Sequence, residues 1–240
     1  MPPPGLFGRL IQNKRRLLWE KREGVDATLI VADVKFGVHS MILGAESPIL
    51  QSRFQASLRK SGLREIIIEE ADIHTVWRTL MLIYLGYYST SPCPKVATSD
   101  EANELALHGS VYNLAVSWGL PNNLQEIIFQ NYKNTVENTW QPLAFLESVN
   151  IIFSLLGESG TVHGHGMSII TSDWSDPDRL REDRIAQLVV QQLETRRESF
   201  EDDSSITLCR SLQNSPVLLR LFLQRWLVSP AQAPKCTCQA

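Results

Sequence analysis

Residues 26–50 read DATLIVADVKFGVHSMILGAESPIL, and the fold of the chain can be worked out from this stretch. Apolar side chains occupy both alternating sets of residues 27–32, which predicts a strand that is buried on both faces. Asp33 and Val34 are expected to reverse the chain, and KFGV returns as a short antiparallel partner. The stretch is therefore predicted to begin with a β-hairpin.

Helices are expected on either side of the pair Ser47-Pro48. Proline lacks a backbone N–H, so it is tolerated in the first turn of a helix, and serine is a favoured N-cap. We therefore predict one helix over residues 40–46 and a second over residues 48–58. The Ser-Pro pair separates two helices and does not break a single one.

Beyond this stretch, the hydrophobic periodicity predicts one more strand and a series of helices that each bury one apolar stripe. The run REIIIEEAD is the strand, and the helix from Ile73 should end at Gly86. Residues 89–99 are rich in proline, serine and threonine and predict a surface loop. The remaining predicted helices are one that ends at Gly119, one that opens at Pro121, residues 142–156, residues 179–195 and residues 206–227.

The composition of the chain excludes several classes of function. The 240 residues are 43% hydrophobic and 20% charged, with a net charge of -3, so no general attraction to nucleic acid or to an anionic membrane is predicted. No window approaches the roughly 20 apolar residues of a membrane span, and no signal peptide is visible. Four cysteines do not make a disulfide framework. We expect a soluble intracellular protein, in the cytoplasm, the nucleus or both.

The first 23 residues predict a basic amphipathic helix. Arginine and lysine outnumber glutamate there, and Leu6, Leu10, Leu17 and Leu18 form its apolar stripe. Because such a stripe must be covered by something, this helix is the predicted dimer contact.

The order of these elements resembles the BTB/POZ domain. The matching features are Asp26 at the start of the first strand, FGVHSMILGAESPIL, IIIEEADIHTVWRTLMLIYLGYY and LALHGSVYNLAVSWGLPNNLQEIIFQNY. The resemblance covers residues 24–139 and implies an α+β fold in which a small mixed sheet packs on a helical cluster. It also implies an interaction module without chemistry of its own, and many members dimerise.

The remainder of the chain is predicted as an all-α extension over residues 140–228, interrupted by a Gly/Ser-rich loop at residues 157–177. A cysteine-containing tail follows over residues 229–240. This layout is similar, more loosely, to that of fungal BTB-domain proteins.

Two positions depart from the family pattern. In many BTB domains linked to transcription, the residue matching Asp26 faces a cation just after the residue matching His39, but Ser40 stands there. This substitution leaves Asp26 without its usual cation. BTB adaptors of cullin-type ubiquitin ligases often carry an apolar residue, any residue and then glutamate, where this chain has Leu58-Arg59-Lys60. The ammonium group reverses the charge of that docking surface.

No group of residues indicates catalysis, so the chain is predicted not to be an enzyme and to need no cofactor. His39 is interpreted as a buried imidazole that bonds to nearby backbone, and not as a proton shuttle or a metal ligand. A metal-dependent enzyme using His163 and His165 is a minor alternative, and Cys236 and Cys238 could supply half of a zinc site.

The sequence therefore predicts a scaffold that binds protein partners, most simply a second copy of itself. A substrate adaptor of a cullin-type ligase is the alternative, and neither nucleic acid nor membrane is an expected partner. The candidate interface residues are Leu10, Leu17, Leu18, Asp26, Ser40, Leu58 and Lys60.

Overall fold

The computed structural model describes residues 6–97, 102–154 and 184–196, with side chains described from residue 12 onward and up to residue 153 in the second range. The chain divides into two compact units, residues 1–152 and 153–240. The elements are α1 (Leu6–Lys21), β1 (Ala27–Val31), β2 (Val34–Val38), α2 (Ser40–Glu46), α3 (Pro48–Ser61), β3 (Glu65–Ile68), α4 (Ile73–Leu85), α5 (Glu104–Ser117), α6 (Asn122–Asn138), α7 (Pro142–Ser154) and α8 (Arg184–Thr195).

The three strands form one mixed sheet in the order β2-β1-β3. The hairpin partner β2 runs antiparallel to β1, whereas β3 runs parallel to it. Val31 pairs with Val34, so the turn is Ala32-Asp33 and not the predicted Asp33-Val34. Ala32 takes a positive φ of 48°, as a tight two-residue turn requires. The predicted α+β class with a small mixed sheet is confirmed.

The prediction that β1 is buried on both faces is wrong. The side chains that face the core are buried, and those that face outward alternate with them in every strand. Thr28 and Ile30 are only half-buried in β1, and Ile67 in β3 is 61% exposed. An apolar run of this length is typical of a strand with helices on both sides, but here one face of the sheet is partly exposed.

The Ser47-Pro48 junction forms as predicted. Ser47 caps α3 by accepting a hydrogen bond from the backbone N–H of Leu50 at 3.0 Å, and Pro48 occupies the first turn. The same hydroxyl donates to the carbonyl oxygen of Trp118, at the end of α5. Ser47 therefore joins the α2–α3 corner to a helix 71 residues further along the chain.

The two central helices bury much more than one stripe. In α4, ten of 13 residues are buried, and the helix ends at Gly86 with φ 75°, as predicted. In α5, nine of 14 residues are buried, which leaves little room for a polar face. A single stripe was predicted because periodicity alone does not reveal that a helix is surrounded.

The segment after α4 is anchored and is not simply a surface loop. Cys93 is 1% exposed, and its backbone N–H donates to Nδ1 of His74 at 2.9 Å. The buried Arg78 donates to the carbonyl oxygen of Thr90 at 2.7 Å and to that of Ser91 at 3.3 Å. These bonds fasten the segment to α4.

Two further predicted helices are present, one with its expected start and the other with its expected end. The helix from residue 142 is described to Ser154, and the helix predicted over residues 179–195 is present from Arg184. The loop at residues 157–177, the helix at residues 206–227 and the tail at residues 229–240 lie outside the described residues.

Replacing Ser47 with alanine should lower the free energy of unfolding by about 1–3 kcal/mol, because the helix cap is lost and the Trp118 carbonyl loses its donor. Urea denaturation measures the change. Ser61→Ala is the matched control at the exposed end of the same helix and should stay within about 0.5 kcal/mol. Equal losses in the two variants would contradict the assignment.

Candidate functional site

His39 has a structural role. Its Nε2 lies 2.7 Å from the carbonyl oxygen of Glu23, and its Nδ1 lies 2.9 Å from the hydroxyl of Tyr84. The Tyr84 hydroxyl also accepts a bond from the backbone N–H of His39 at 2.8 Å. Because the Glu23 carbonyl oxygen can only accept, Nε2 is the donor of that bond. This geometry bears out the interpretation of a buried, hydrogen-bonded histidine.

Tyr84 is fixed as a donor by its surroundings. Burial raises the pKa of Tyr84 to about 12, so its hydroxyl keeps its proton at any physiological pH. The same ring lies 5.2 Å from Trp19, measured between ring centroids. Tyr84 therefore holds both the exit of the hairpin and helix α1.

Trp19 is the residue that attaches α1, and the sequence analysis did not name it. Its side chain is 8% exposed and lies 4.7 Å from Trp77, between ring centroids. Arg22 stacks on the outer face of Trp19 at 3.9 Å and donates to the Gly37 carbonyl oxygen at 3.2 Å. The sequence did contain a signal for this anchor, because a tryptophan beside Leu18 in a highly charged helix indicates a buried position.

The predicted leucine stripe of α1 is split by this packing. Leu17 points away from the core and is 51% exposed, whereas Leu18 is half-buried. The side chain of Leu10 lies outside the described side chains. Leu17 is thus an apolar side chain held on the outside of an anchored helix.

The Asp26 carboxylate pairs with a cation from another part of the chain. Its carboxylate accepts bonds from the backbone N–H and the hydroxyl of Ser40, at 2.7 and 2.6 Å, and pairs with Arg64 at 2.9 Å. Burial acts to raise the pKa of the Asp26 carboxyl, but the Ser40 bonds and the Arg64 charge outweigh it and lower that pKa. The usual cation after His39 is absent, as expected from Ser40, and Arg64 from a distant part of the chain pairs with Asp26 instead.

The residues at the cullin-like positions lie in the last turn of α3. Leu58 is 39% exposed, and Arg59 and Lys60 are both exposed beside it. Gly62 ends the helix with φ 74°, and Leu63 directly after it is also exposed. This end of α3 is therefore an apolar and basic surface, and the structure does not bring it together with α1.

Side chains cover the outer edge of β3. Ser57 donates to the Leu63 carbonyl oxygen at 3.0 Å and accepts from the backbone N–H of Glu65 at 3.3 Å. One helical turn earlier, Arg53 donates to the Ile67 carbonyl oxygen at 2.9 Å. Helix α3 therefore occupies hydrogen-bonding groups that an added strand would need.

Cations occupy the outer edge of β2 in the same way. Lys95 donates to the carbonyl oxygen of Lys35 at 2.7 Å, and Arg22 donates to that of Gly37. Strand addition is therefore disfavoured at both edges of the sheet.

A second buried histidine stabilises the helical layer. Nδ1 of His108 lies 2.8 Å from the Tyr88 hydroxyl, and Nε2 lies 3.3 Å from the Thr135 hydroxyl. Burial, and then the charge of Arg78, lower the pKa of His108 to about 4, although Glu104 lies 3.7 Å from Nε2 at the surface. His108 is therefore neutral in the folded protein at physiological pH.

Within the ranges that the structure describes, no group of three or more His, Cys, Asp or Glu side chains could hold a metal ion. The same part of the chain contains no helix long and apolar enough to cross a membrane. His163, His165, Cys236 and Cys238 lie outside the described residues, so the metal hypotheses that use them stay predictions.

Residues 16–115 match the family model of the BTB/POZ domain. A search of curated proteins found no significant match. Among solved structures, one match is the BTB (Tramtrack and Bric a brac) domain of human Gigaxonin, with 19% sequence identity and a TM-score of 0.37; the match covers 54% of this chain and 93% of that chain. BTB domains are protein-interaction modules, often dimeric and typically without enzymatic activity. The looser resemblance to fungal proteins stays a prediction.

The stability of the protein should fall as the pH drops from about 6.5 to about 4. In this window the unfolded chain protonates His108 and the folded protein does not, so protons favour unfolding. The expected loss is roughly 3 kcal/mol, since one pKa unit corresponds to about 1.36 kcal/mol. Urea denaturation across this pH range measures it.

His108→Gln is the control for that pH dependence, because Asp26 and Glu70, whose pKa values are also lowered, titrate in both proteins. The difference between the two curves isolates the histidine. An NMR titration of the His108 ring gives the same information without a variant. Parallel curves, or a ring that titrates near its ordinary pKa, would contradict the prediction.

Proposed function

We propose that this chain, which contains a BTB/POZ domain at residues 16–115, is a protein-interaction scaffold that associates with a second copy of itself through α1. The observation that carries the proposal is Leu17, an apolar side chain that is half exposed on a helix whose opposite side is anchored by Trp19. Covering Leu17 in a dimer would bury apolar surface, and each Å² so buried stabilises the dimer by about 25 cal/mol.

The position of α1 is fixed before any partner arrives. Gln12 donates to the Leu85 carbonyl oxygen at 2.9 Å, and Arg15 pairs with Glu46 at 2.6 Å. A surface that is already ordered loses little conformational entropy when it binds, which favours association. This ordering supports α1 as the contact surface.

The polar groups that could suggest an enzyme are occupied in structural bonds. His39 and Tyr84 bond to each other, and His108 bonds to Tyr88. Such internally paired groups hold a scaffold together and leave binding to the surface. The proposal therefore assigns the chain a recruiting role and no reaction.

Leu17→Asp should weaken self-association roughly tenfold or more, because it places a charged carboxylate in an apolar contact. Sedimentation equilibrium over a range of concentrations measures the change. Leu143→Asp is the matched control, since Leu143 is 58% exposed on α7. A wild-type protein that stays monomeric at high concentration would remove the proposal.

Deletion of residues 1–23 is a poorer experiment than the point substitution. It would also remove Trp19 and Arg22, which pack on Trp77. Lost association would then not be distinguishable from lost folding.

The exposed Leu58 is the observation that favours the second candidate, an adaptor of a cullin-type ubiquitin ligase. It offers the apolar residue of the family pattern, but Lys60 stands where a carboxylate is usual. Lys60→Glu restores the pattern and should strengthen binding to a purified cullin N-terminal region, measured by calorimetry. Lys133→Glu on α6, which has the same change of charge away from α3, is the control. Absence of binding in the wild type and in Lys60→Glu would exclude the adaptor function.

A further inference from the structure

The open face of the sheet carries an ordered set of side chains. The register places Gly37, Thr28 and Glu65 in one row across the strands. It places Lys35, Ile30 and Ile67 in the next row. We call these six positions the outer sheet face.

Apolar surface lies at the centre of the outer sheet face and along one side. Ile30 pairs with Ile67 across β1 and β3, so the two side chains are neighbours. Val25 packs over Gly37, because its Cγ1 lies 2.9 Å from where a Gly37 Cβ would stand. Ile67, Val25 and Lys35 are exposed to solvent within the chain.

The charges of this face are opposite in sign and stand at opposite corners. Lys35 lies at the β2 end of the second row, and Glu65 lies at the β3 end of the first row. A two-fold axis parallel to the face, and perpendicular to the line between these residues, exchanges their positions. The face is therefore complementary in charge to itself, as a two-fold symmetric interface requires.

We propose that the outer sheet face binds the same face of a second copy of this chain. Lys35 of each copy pairs with Glu65 of the other, and Ile30 of each copy packs against Ile67 of the other. With strands about 4.8 Å apart and rows about 6.6 Å apart, the strands of the two sheets cross at roughly 70°. Steep crossing of this kind is known for packed sheets.

The covered sheet edges direct association to this face. Arg53 and Ser57 bond to β3, and Lys95 and Arg22 bond to β2, so extension of the sheet by a second copy is disfavoured. Six positions make a small interface, so the association is weak and depends on concentration.

This inference rests on the self-association proposed above and adds a second surface to it. A chain with two separate two-fold contacts, one at α1 and one at the outer sheet face, forms assemblies larger than dimers. The sheet contact then links α1 dimers when the local concentration is high.

The test uses sedimentation equilibrium of the full chain in the Leu17→Asp background, where the α1 contact is weakened. Weak dimers should remain. Lys35→Glu or Glu65→Lys should each weaken them roughly tenfold, because each brings like charges together. The double exchange Lys35→Glu with Glu65→Lys should restore the affinity, which a merely misfolded variant would not do.

Ile67→Asp in the otherwise wild-type chain should leave α1 dimers and abolish larger assemblies, whereas Leu143→Asp should change neither. If Leu17→Asp alone is monomeric at every concentration, the sheet contact is overturned and the α1 proposal stands. If the Leu17→Asp protein still forms dimers but the Ile67→Asp protein, with Leu17 intact, is monomeric, the α1 proposal is overturned and the sheet contact stands. Failure of the double exchange to restore affinity overturns the sheet contact.

Discussion

The hydrogen-bond chain from Glu23 through His39 to Tyr84 is the interaction on which the first unit of the structure depends. It links the segment after α1, the end of the hairpin and the C-terminal end of α4, which are separate parts of the chain. Because Tyr84 also contacts Trp19, the same group sets the position of α1. A polar pair inside an apolar core is costly unless every group is satisfied, and here both ring nitrogens of the histidine and the tyrosine hydroxyl have partners.

Features with local causes could be predicted from the sequence. Ser47 as a cap and Gly86 as a helix end follow from the backbone needs of a few neighbouring residues. Features set by distant partners could not. Periodicity did not reveal that Thr28 and Ile30 would face outward without a covering layer, or that Arg64 would reach Asp26 from 38 residues away. In α1, a pattern of leucines was visible, but which residue faced inward depended on Trp77 and Tyr84.

The two proposed contact surfaces follow from how the sheet is enclosed. Helices pack on one face and cationic side chains bond to both edges, so the proposals use the partly exposed face and the outside of α1. Leu17 and Ile67 occupy these two places, and both are apolar side chains held by rigid elements. The leucines of α1 suggested the first surface from the sequence. The sheet face could not be predicted, because it depends on the register of three strands.

The cover on β3 also bears on how the protein is made. Arg53 and Ser57 precede β3 in the chain, so they leave the ribosome before the strand they protect. A nascent strand with open hydrogen-bonding groups is a target for wrong pairing between growing chains. Here the protecting helix is already synthesised when the strand appears. The order of synthesis therefore disfavours aggregation of the nascent chain.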